Sequence, residues 1–310
     1  MVELNREIRL DPLTGEAVVL SEARAGQTMA VPPLEEPEPC PFCPGWEHFT
    51  HRTIEAIEDL SVPPRSGEAA WHARAFPNRN PMLVVEAPVG AREMGVFASM
   101  AGLGAHEVIV ESPRHAPLHE QSPEAQAHGL RLATRRLTDL RQDTRLQTLV
   151  WFRNVGRRSG ASQPHPHSQI VGLPFVPLRW QQIAQRSATH FQREGRPLLT
   201  EVLEQERDDG RRIVTRDGPI TVLCPYASHQ PYEVWLVPES PGPRFGDATV
   251  SEIDAVARVM GPLVRAIGAA SGMPVSYNVV AYGAPNRVDE EGLGWHLRVL
   301  PNLVWGAGFE

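Results

Sequence analysis

Residues 152–174 read FRNVGRRSGASQPHPHSQIVGLP, and the second half of that stretch, from Gln163 to Pro174, carries the densest chemistry of the chain. His165, His167 and Gln169 alternate with Pro166 and Ser168. On a β-strand, where side chains alternate between faces, that spacing puts both imidazoles and the amide on one side. Such a trio makes a poor core and suits a phosphate. Upstream, Asn154 to Ser162 is rich in Gly and small polar residues. A loop of this kind can aim backbone N–H groups at an anion. A histidine nucleophile needs one bare ring nitrogen facing phosphorus while the other is held by an acceptor. A lone H-x-H would read as a pair of surface histidines. With Gln169 and the Gly/Ser loop attached, the stretch reads as a site.

The segments on either side repeat in order. AFPNRNPMLVVE and GAHEVIVESP precede a helical stretch, which is followed by QTLVWFRNVG and HPHSQIVGLP. Further on, TVLCPYASHQPYEVWLVPE precedes a second helical stretch, followed by SYNVVAYGAPN and WHLRVLPNL. The first helix is expected after Ser122, with Pro123 at its first position and Leu130, Ala133, Leu137 and Leu140 at helical spacing. The second opens on the capping-box pair Thr249 and Glu252. It continues in an apolar stripe of Ile253, Val256, Met260, Leu263 and Ile267, with a kink expected at Pro262. Those stripes read as core. The order predicts an α+β fold of two tandem half-barrels, each an antiparallel sheet with one packed helix. The expected domains are 1–192, carrying the site, and 193–310, on the substrate side. Polar breaks are expected at 193–212 and 238–247.

Composition narrows the classes. The chain has 310 residues, 41% of them hydrophobic, and a net charge of −7, which argues against a broad nucleic-acid footprint. No run approaches the roughly 18 apolar residues of a membrane span. The opening MVELNREIRLD has no apolar signal core. The expectation is therefore a cytoplasmic protein with neither membrane nor nucleic-acid partners. Three cysteines cannot form a disulfide framework. Cys224 reads as a small buried residue. Cys40 and Cys43 form a C-x-x-C in the Pro-rich loop 31–45, half of a tetrahedral zinc site. The missing ligands have local candidates, His48 and His51, and distant ones, His115 and His165. A redox C-x-x-C would normally open a helix, which Pro44-Gly45 opposes.

Taken together, these motifs resemble the galactose-1-phosphate uridylyltransferase branch of the histidine-triad superfamily. RLDPLTGEAVVLSEARAG from Arg9, CPFCPG, AFPNRNPML, SPRH, CPYASHQPYEVWLVPE and WGAGFE each resemble a family segment. FRNVGRRSGASQPHPHSQ resembles the family's F-x-N-x-G…H-P-H-x-Q run without gaps. GAS…H-x-HSQ is also similar to the family's ADP-sugar phosphorylase-like members.

By position, the resemblance implies one structural zinc on Cys40, Cys43, His115 and His165, with His48 and His51 as bystanders. It implies His167 as nucleophile, Gln169 as the amide steadying the phosphoryl oxygens, Ser162 as a phosphate donor and Asn154 beside it. Arg24, Phe76, Asn78 and Asn80 would lie near the nucleotide, and Phe309 and Glu310 near the sugar. Some members carry a second metal on a Glu and three His. Here Ile183, Tyr282 and Arg298 stand at three of those positions and only His296 remains, so no second metal is expected. The sequence stops at Glu310, where the family continues with a segment completing the hexose pocket, so the hexose is left open.

The implied reaction is ping-pong transfer of a nucleoside monophosphate from a nucleotide sugar to a sugar 1-phosphate through a nucleotidyl-histidine. Inorganic phosphate is the acceptor in the alternative, a nucleotide-sugar phosphorylase. Arg157 and Arg158 read equally as phosphate ligands or as solvated loop residues. Two further readings are a non-catalytic zinc-folded nucleotide-binding protein and a zinc-finger-like interaction module. A homodimer is the candidate assembly.

Overall fold

The computed structural model describes residues 6–10, 17–21, 39–59, 61, 70–287 and 290–303. Its centre is one ten-stranded antiparallel sheet built from two five-stranded halves. The first half comprises β3 (Glu55–Glu58), β4 (Trp71–Pro77), β7 (Ala105–Val110), β8 (Thr148–Val155) and β9 (His167–Leu173). The second comprises β10 (Ile213–Asp217), β11 (Ile220–Leu223), β12 (Val234–Pro238), β13 (Tyr277–Tyr282) and β14 (His296–Pro301). The spatial order is β10-β11-β12-β14-β13-β8-β9-β7-β4-β3. Reading outward from the centre, β8 corresponds to β13, β9 to β14, β7 to β12, β4 to β11 and β3 to β10. The expected duplication is thus observed. The halves meet edge to edge through β8 and β13, where Asn154 pairs with Asn278 and Phe152 with Val280. That junction satisfies two edges that separate barrels would leave open.

Each half carries one long helix, α1 (Pro123–Leu140) and α4 (Val250–Ser271). Both begin where the caps demand. The Ser122 side chain accepts from the Ala125 N–H, and Thr249 and Glu252 close a reciprocal capping box. Leu130, Ala133 and Leu137 of α1 and Ile253, Val256, Met260, Leu263 and Ile267 of α4 are buried in the central core with Trp151, Ile170, Val279, Leu297 and Val299. Burying a side chain of this size contributes about 1.5–3 kcal/mol, so these stripes fix the helices on one face of the sheet. Pro262 lies inside α4 without interrupting it.

The other face carries different layers. A small sheet with order β2-β1-β6-β5, from β1 (Arg6–Leu10), β2 (Ala17–Ser21), β5 (Ala91–Met94) and β6 (Phe97–Ala101), buries Ile8 against Leu83 and Val171 of the first half. The second half is covered by α2 (Leu178–Glu194) and α3 (Leu198–Asp209), with Leu203 packed on Leu223 and Val237. The polar stretch expected to be a break at 193–212 is therefore largely helix α3. Its Leu199, Leu203 and buried Glu206 recur at helical spacing, and the Glu206 carboxylate is bound by Arg212 at 2.7 Å. Many charges hid a helix with one narrow apolar edge. The expected domain division at 192 falls in the last turn of α2. Cys224 packs at the edge of the central core, and burial raises its thiol pKa. Among the described residues no helix is long and apolar enough to cross a membrane.

Candidate active site and metal centre

β9 places the chemistry. Its register with β7 sets His167 opposite Val110 and Gln169 opposite Val108. Ser168 and Ile170 turn to the helix face, where Ser168 Oγ accepts from Trp151 Nε1 at 3.0 Å. His167 and Gln169 share the opposite face, as strand period requires. The strand begins at His167, so His165 precedes it and does not share that face by strand alternation. The His165 ring, fully buried, is instead directed at the C-x-x-C.

Cys40, Cys43, His115 and His165 bring their ligand atoms within 4.8 Å of one another. His165 Nδ1 lies 3.7 Å from Cys40 Sγ and 3.6 Å from Cys43 Sγ, and His115 Nδ1 lies 3.4 Å from Cys43 Sγ. Tetrahedral zinc, with Zn–S near 2.3 Å and Zn–N near 2.05 Å, separates S and N by about 3.6 Å, so the set fits the ion. His165 Nε2 lies 2.8 Å from Ser112 O. It therefore carries the proton and leaves Nδ1 as the lone-pair donor. Burial pushes the His165 pKa down to about 4, which keeps the ring in the neutral form a metal requires. His48 and His51 lie outside this group; the His48 ring packs on Phe49 with centroids 4.3 Å apart.

The C-x-x-C loop is docked by a residue that no sequence motif marks. Arg74 on β4 is buried under the loop, donating to Pro41 O at 3.2 Å and to Thr50 Oγ1 at 2.9 Å. Trp71 Nε1 donates to Glu47 Oε1 at 3.0 Å. Phe42, between the two cysteines, packs edge-on against Phe76 and against His167, with centroids 5.8 and 5.3 Å apart. The C-x-x-C loop thus packs directly on the His167 ring. Phe76 is 2% exposed and buried in one cluster with Phe42.

His167 Nδ1 lies 2.9 Å from His165 O. Nδ1–H donates to that carbonyl, and Nε2 is the nitrogen left bare. Burial lowers the pKa of His167, favouring the neutral ring. Gln169 Oε1 accepts from His106 Nε2 at 2.7 Å and from Asn78 Nδ2 at 3.3 Å. His106 Nδ1 in turn accepts from the Met82 N–H at 3.1 Å, which sets its tautomer. With its oxygen so engaged, Gln169 has its NH₂ left to donate. Asn78 Oδ1 accepts from the Asn80 N–H at 2.9 Å, and Asn80 itself is exposed. His106 carried no signal beyond a lone His in a strand. Behind His167 a buried ion pair joins Arg153 to Glu111 at 2.7 Å; it too was invisible in sequence.

The Gly-rich loop is held from the second half. Asn278 Nδ2 donates to Asn154 Oδ1 at 2.7 Å and to Ser159 O at 2.9 Å, and Asn302 Nδ2 donates to Ser159 Oγ at 2.8 Å. Gly156 has φ of +77°, and a Cβ there would lie 2.3 Å from Ser276 Oγ, so only glycine fits. Arg157 and Arg158 lie on the short 3₁₀ turn that follows, where Arg158 Nη1 reaches Leu303 O at 3.1 Å. Ser162 is exposed beyond that turn. Arg24, Phe309 and Glu310 lie outside the described residues.

A doubled strand-strand-strand-helix-strand-strand unit, with a Cys₂His₂ group beside the strand that opens on His167, defines a double histidine-triad-like fold. The chain belongs to the galactose-1-phosphate uridyl transferase family, whose N-terminal domain matches residues 2–177. It is 27% identical to the ADP-glucose phosphorylase of Arabidopsis thaliana over 98% of this chain and 86% of that protein. It is 29% identical to the galactose-1-phosphate uridylyltransferase of Thermotoga maritima over 75% of this chain, a match spanning 66% of that relative's length. A solved uridylyltransferase superposes with a TM-score of 0.77 at 24% identity, covering 95% of this chain and 86% of that one; this likeness is one of fold.

Proposed function

We propose that the protein moves a nucleoside monophosphate from a nucleotide sugar to a sugar 1-phosphate by way of a nucleotidyl group on His167. The carrying observation is the hydrogen bond from His167 Nδ1 to His165 O, which orients the ring and leaves Nε2 to attack. In the first step Nε2 attacks the α-phosphorus, the N–P bond forms, and the bond to the bridging oxygen breaks. Sugar 1-phosphate leaves with the electron pair. In the second step a phosphate oxygen of the acceptor attacks phosphorus and the P–N bond breaks, returning neutral His167. In this reading the Gln169 NH₂, whose partner oxygen is engaged by His106 and Asn78, donates to the non-bridging oxygens, with Ser162 and loop N–H groups as further donors. Asn154, Asn78, Asn80, Phe76 and Arg24 are assigned to the nucleotide side, and Phe309 and Glu310 to the sugar side. The Cys₂His₂ set fits a structural zinc: four protein ligands leave no open position for a reacting oxygen.

A second reading, phosphorolysis of an ADP-sugar by inorganic phosphate, is favoured by the match to ADP-glucose phosphorylase along nearly the whole chain. The two readings share His167 and differ in base and acceptor. Incubation with UDP-glucose or ADP-glucose and no acceptor should release about one equivalent of glucose 1-phosphate and then stall. Addition of galactose 1-phosphate or inorganic phosphate restores turnover and separates the readings. Sequential kinetics with a cognate pair, and no protein adduct, would overturn both.

A further inference from the structure

The second half has its own counterpart of the catalytic strand. β14 opens on His296 as β9 opens on His167, and two residues on, Arg298 stands where Gln169 stands. The register agrees: Gln169 lies opposite Phe152 and Arg298 opposite Val280 on the corresponding inner strands. The chemistry differs. Arg298 Nε donates to His296 Nε2 at 3.0 Å, so the nitrogen corresponding to the nucleophile is already engaged.

Arg298 is 8% exposed. Its guanidinium lies 4.4 Å from the Trp235 ring and 4.2 Å from the Tyr282 ring, and no described carboxylate forms an ion pair with it. It lines a cleft of about 600 Å³ together with Arg179 and Arg186, which lie two helical turns apart on one face of α2. Neither of these arginines pairs with a described carboxylate either. The acids nearby are already engaged: Glu206 binds Arg212 at 2.7 Å, and Glu233 accepts from the His229 N–H and from Trp235 Nε1. Arg179 Nη2 is in contact with His229 Nε2, another lining residue, at 3.0 Å. On a chain of net charge −7, three arginines lining one cleft with no carboxylate partner, one of them desolvated, form a local anion trap. A buried guanidinium offers a planar fork of donors suited to phosphate oxygens. Tyr226, which also lines the cleft, is 84% exposed, with the Arg212 guanidinium 5.2 Å from its ring.

We propose that this cleft binds a phosphate monoester, with the phosphate held by Arg298, Arg179 and Arg186. It is a second anion site that performs no transfer. The volume admits the phosphate and the group it esterifies.

The test is isothermal titration of the full chain with inorganic phosphate, glucose 1-phosphate and AMP in separate arms, alongside detection of the His167 adduct. The site predicts a binding event beyond that of the catalytic half. Arg298→Gln should remove it or weaken it by roughly tenfold or more, while adduct formation at His167 continues. Arg179→Gln and Arg186→Gln change exposed side chains that can be replaced without disturbing the core. Each should weaken the same event and steepen none of its salt dependence. A sugar phosphate or a nucleotide binding more tightly than inorganic phosphate would identify which ester the cleft favours. Unchanged titrations in all three variants, or a single event that disappears only when the first-half loop is altered, would overturn the proposal. Loss of the adduct with the second event retained would instead count against the transfer reading alone.

Discussion

His106 Nε2 donates to Gln169 Oε1 at 2.7 Å, and the other His106 nitrogen accepts from the Met82 N–H at 3.1 Å. This relay fixes the Gln169 amide, with its oxygen engaged and its NH₂ left to donate. Gln169→Ala should slow release of sugar 1-phosphate by roughly 10²–10³. His106→Ala should reproduce part of that loss, because it frees the amide to flip. The double variant should be no slower than Gln169→Ala, since both changes remove one device. Rapid-quench measurement of the burst checks this, and additive losses would show that His106 acts elsewhere.

His167→Ala should abolish the burst and the nucleotidylated peptide seen by mass spectrometry, with the fold intact. His296→Ala should leave the adduct detectable, because Arg298 already engages the His296 ring. The opposite pattern would place the nucleophile in the wrong half.

The protein should hold about one zinc per chain. Cys43→Ser should lower both zinc content and melting temperature. His48→Ala should change neither, since its ring lies outside the Cys₂His₂ group. Because Phe42 joins that loop to His167, zinc removal should also slow adduct formation. Metal analysis with a parallel burst assay tests the link, and a Cys43→Ser protein with full zinc would refute it.

Gly156 combines φ of +77° with ψ of 161°, a region essentially reserved for glycine, so Gly156→Ala should lower stability by about 1–3 kcal/mol from the backbone alone, and by more from the contact with Ser276. Asn278→Ala should have a smaller effect on unfolding but weaken nucleotide-sugar binding, because Asn278 ties Asn154 and Ser159 together across the β8–β13 junction. Denaturant melts and a KM-against-kcat comparison distinguish the two.

Much of this protein was legible in sequence because the information there is local. Capping residues and apolar stripes at helical spacing marked α1 and α4, and strand alternation put His167 and Gln169 on one face. The H-P-H-S-Q run marked the candidate site, and the C-x-x-C spacing marked half of the Cys₂His₂ group that could hold a metal. The resemblance carried the rest of that set, His115 and His165, which lie 72 and 122 residues from Cys43 in the chain and meet it in the structure. Helix α3 was missed because its buried edge is narrow and its charges are dense. What only the tertiary structure decided are contacts between residues far apart in sequence, whose side chains follow no periodicity. These are Arg74 under the metal loop, His106 on Gln169, Glu111 against Arg153, and Asn278 and Asn302 on the Gly-rich loop. Each is a single polar residue in an otherwise ordinary strand or loop. Its meaning arises only when the ten-stranded sheet sets the register, because a one-residue slip would turn Arg74, His106, Arg153 and Asn278 to the other face of their strands.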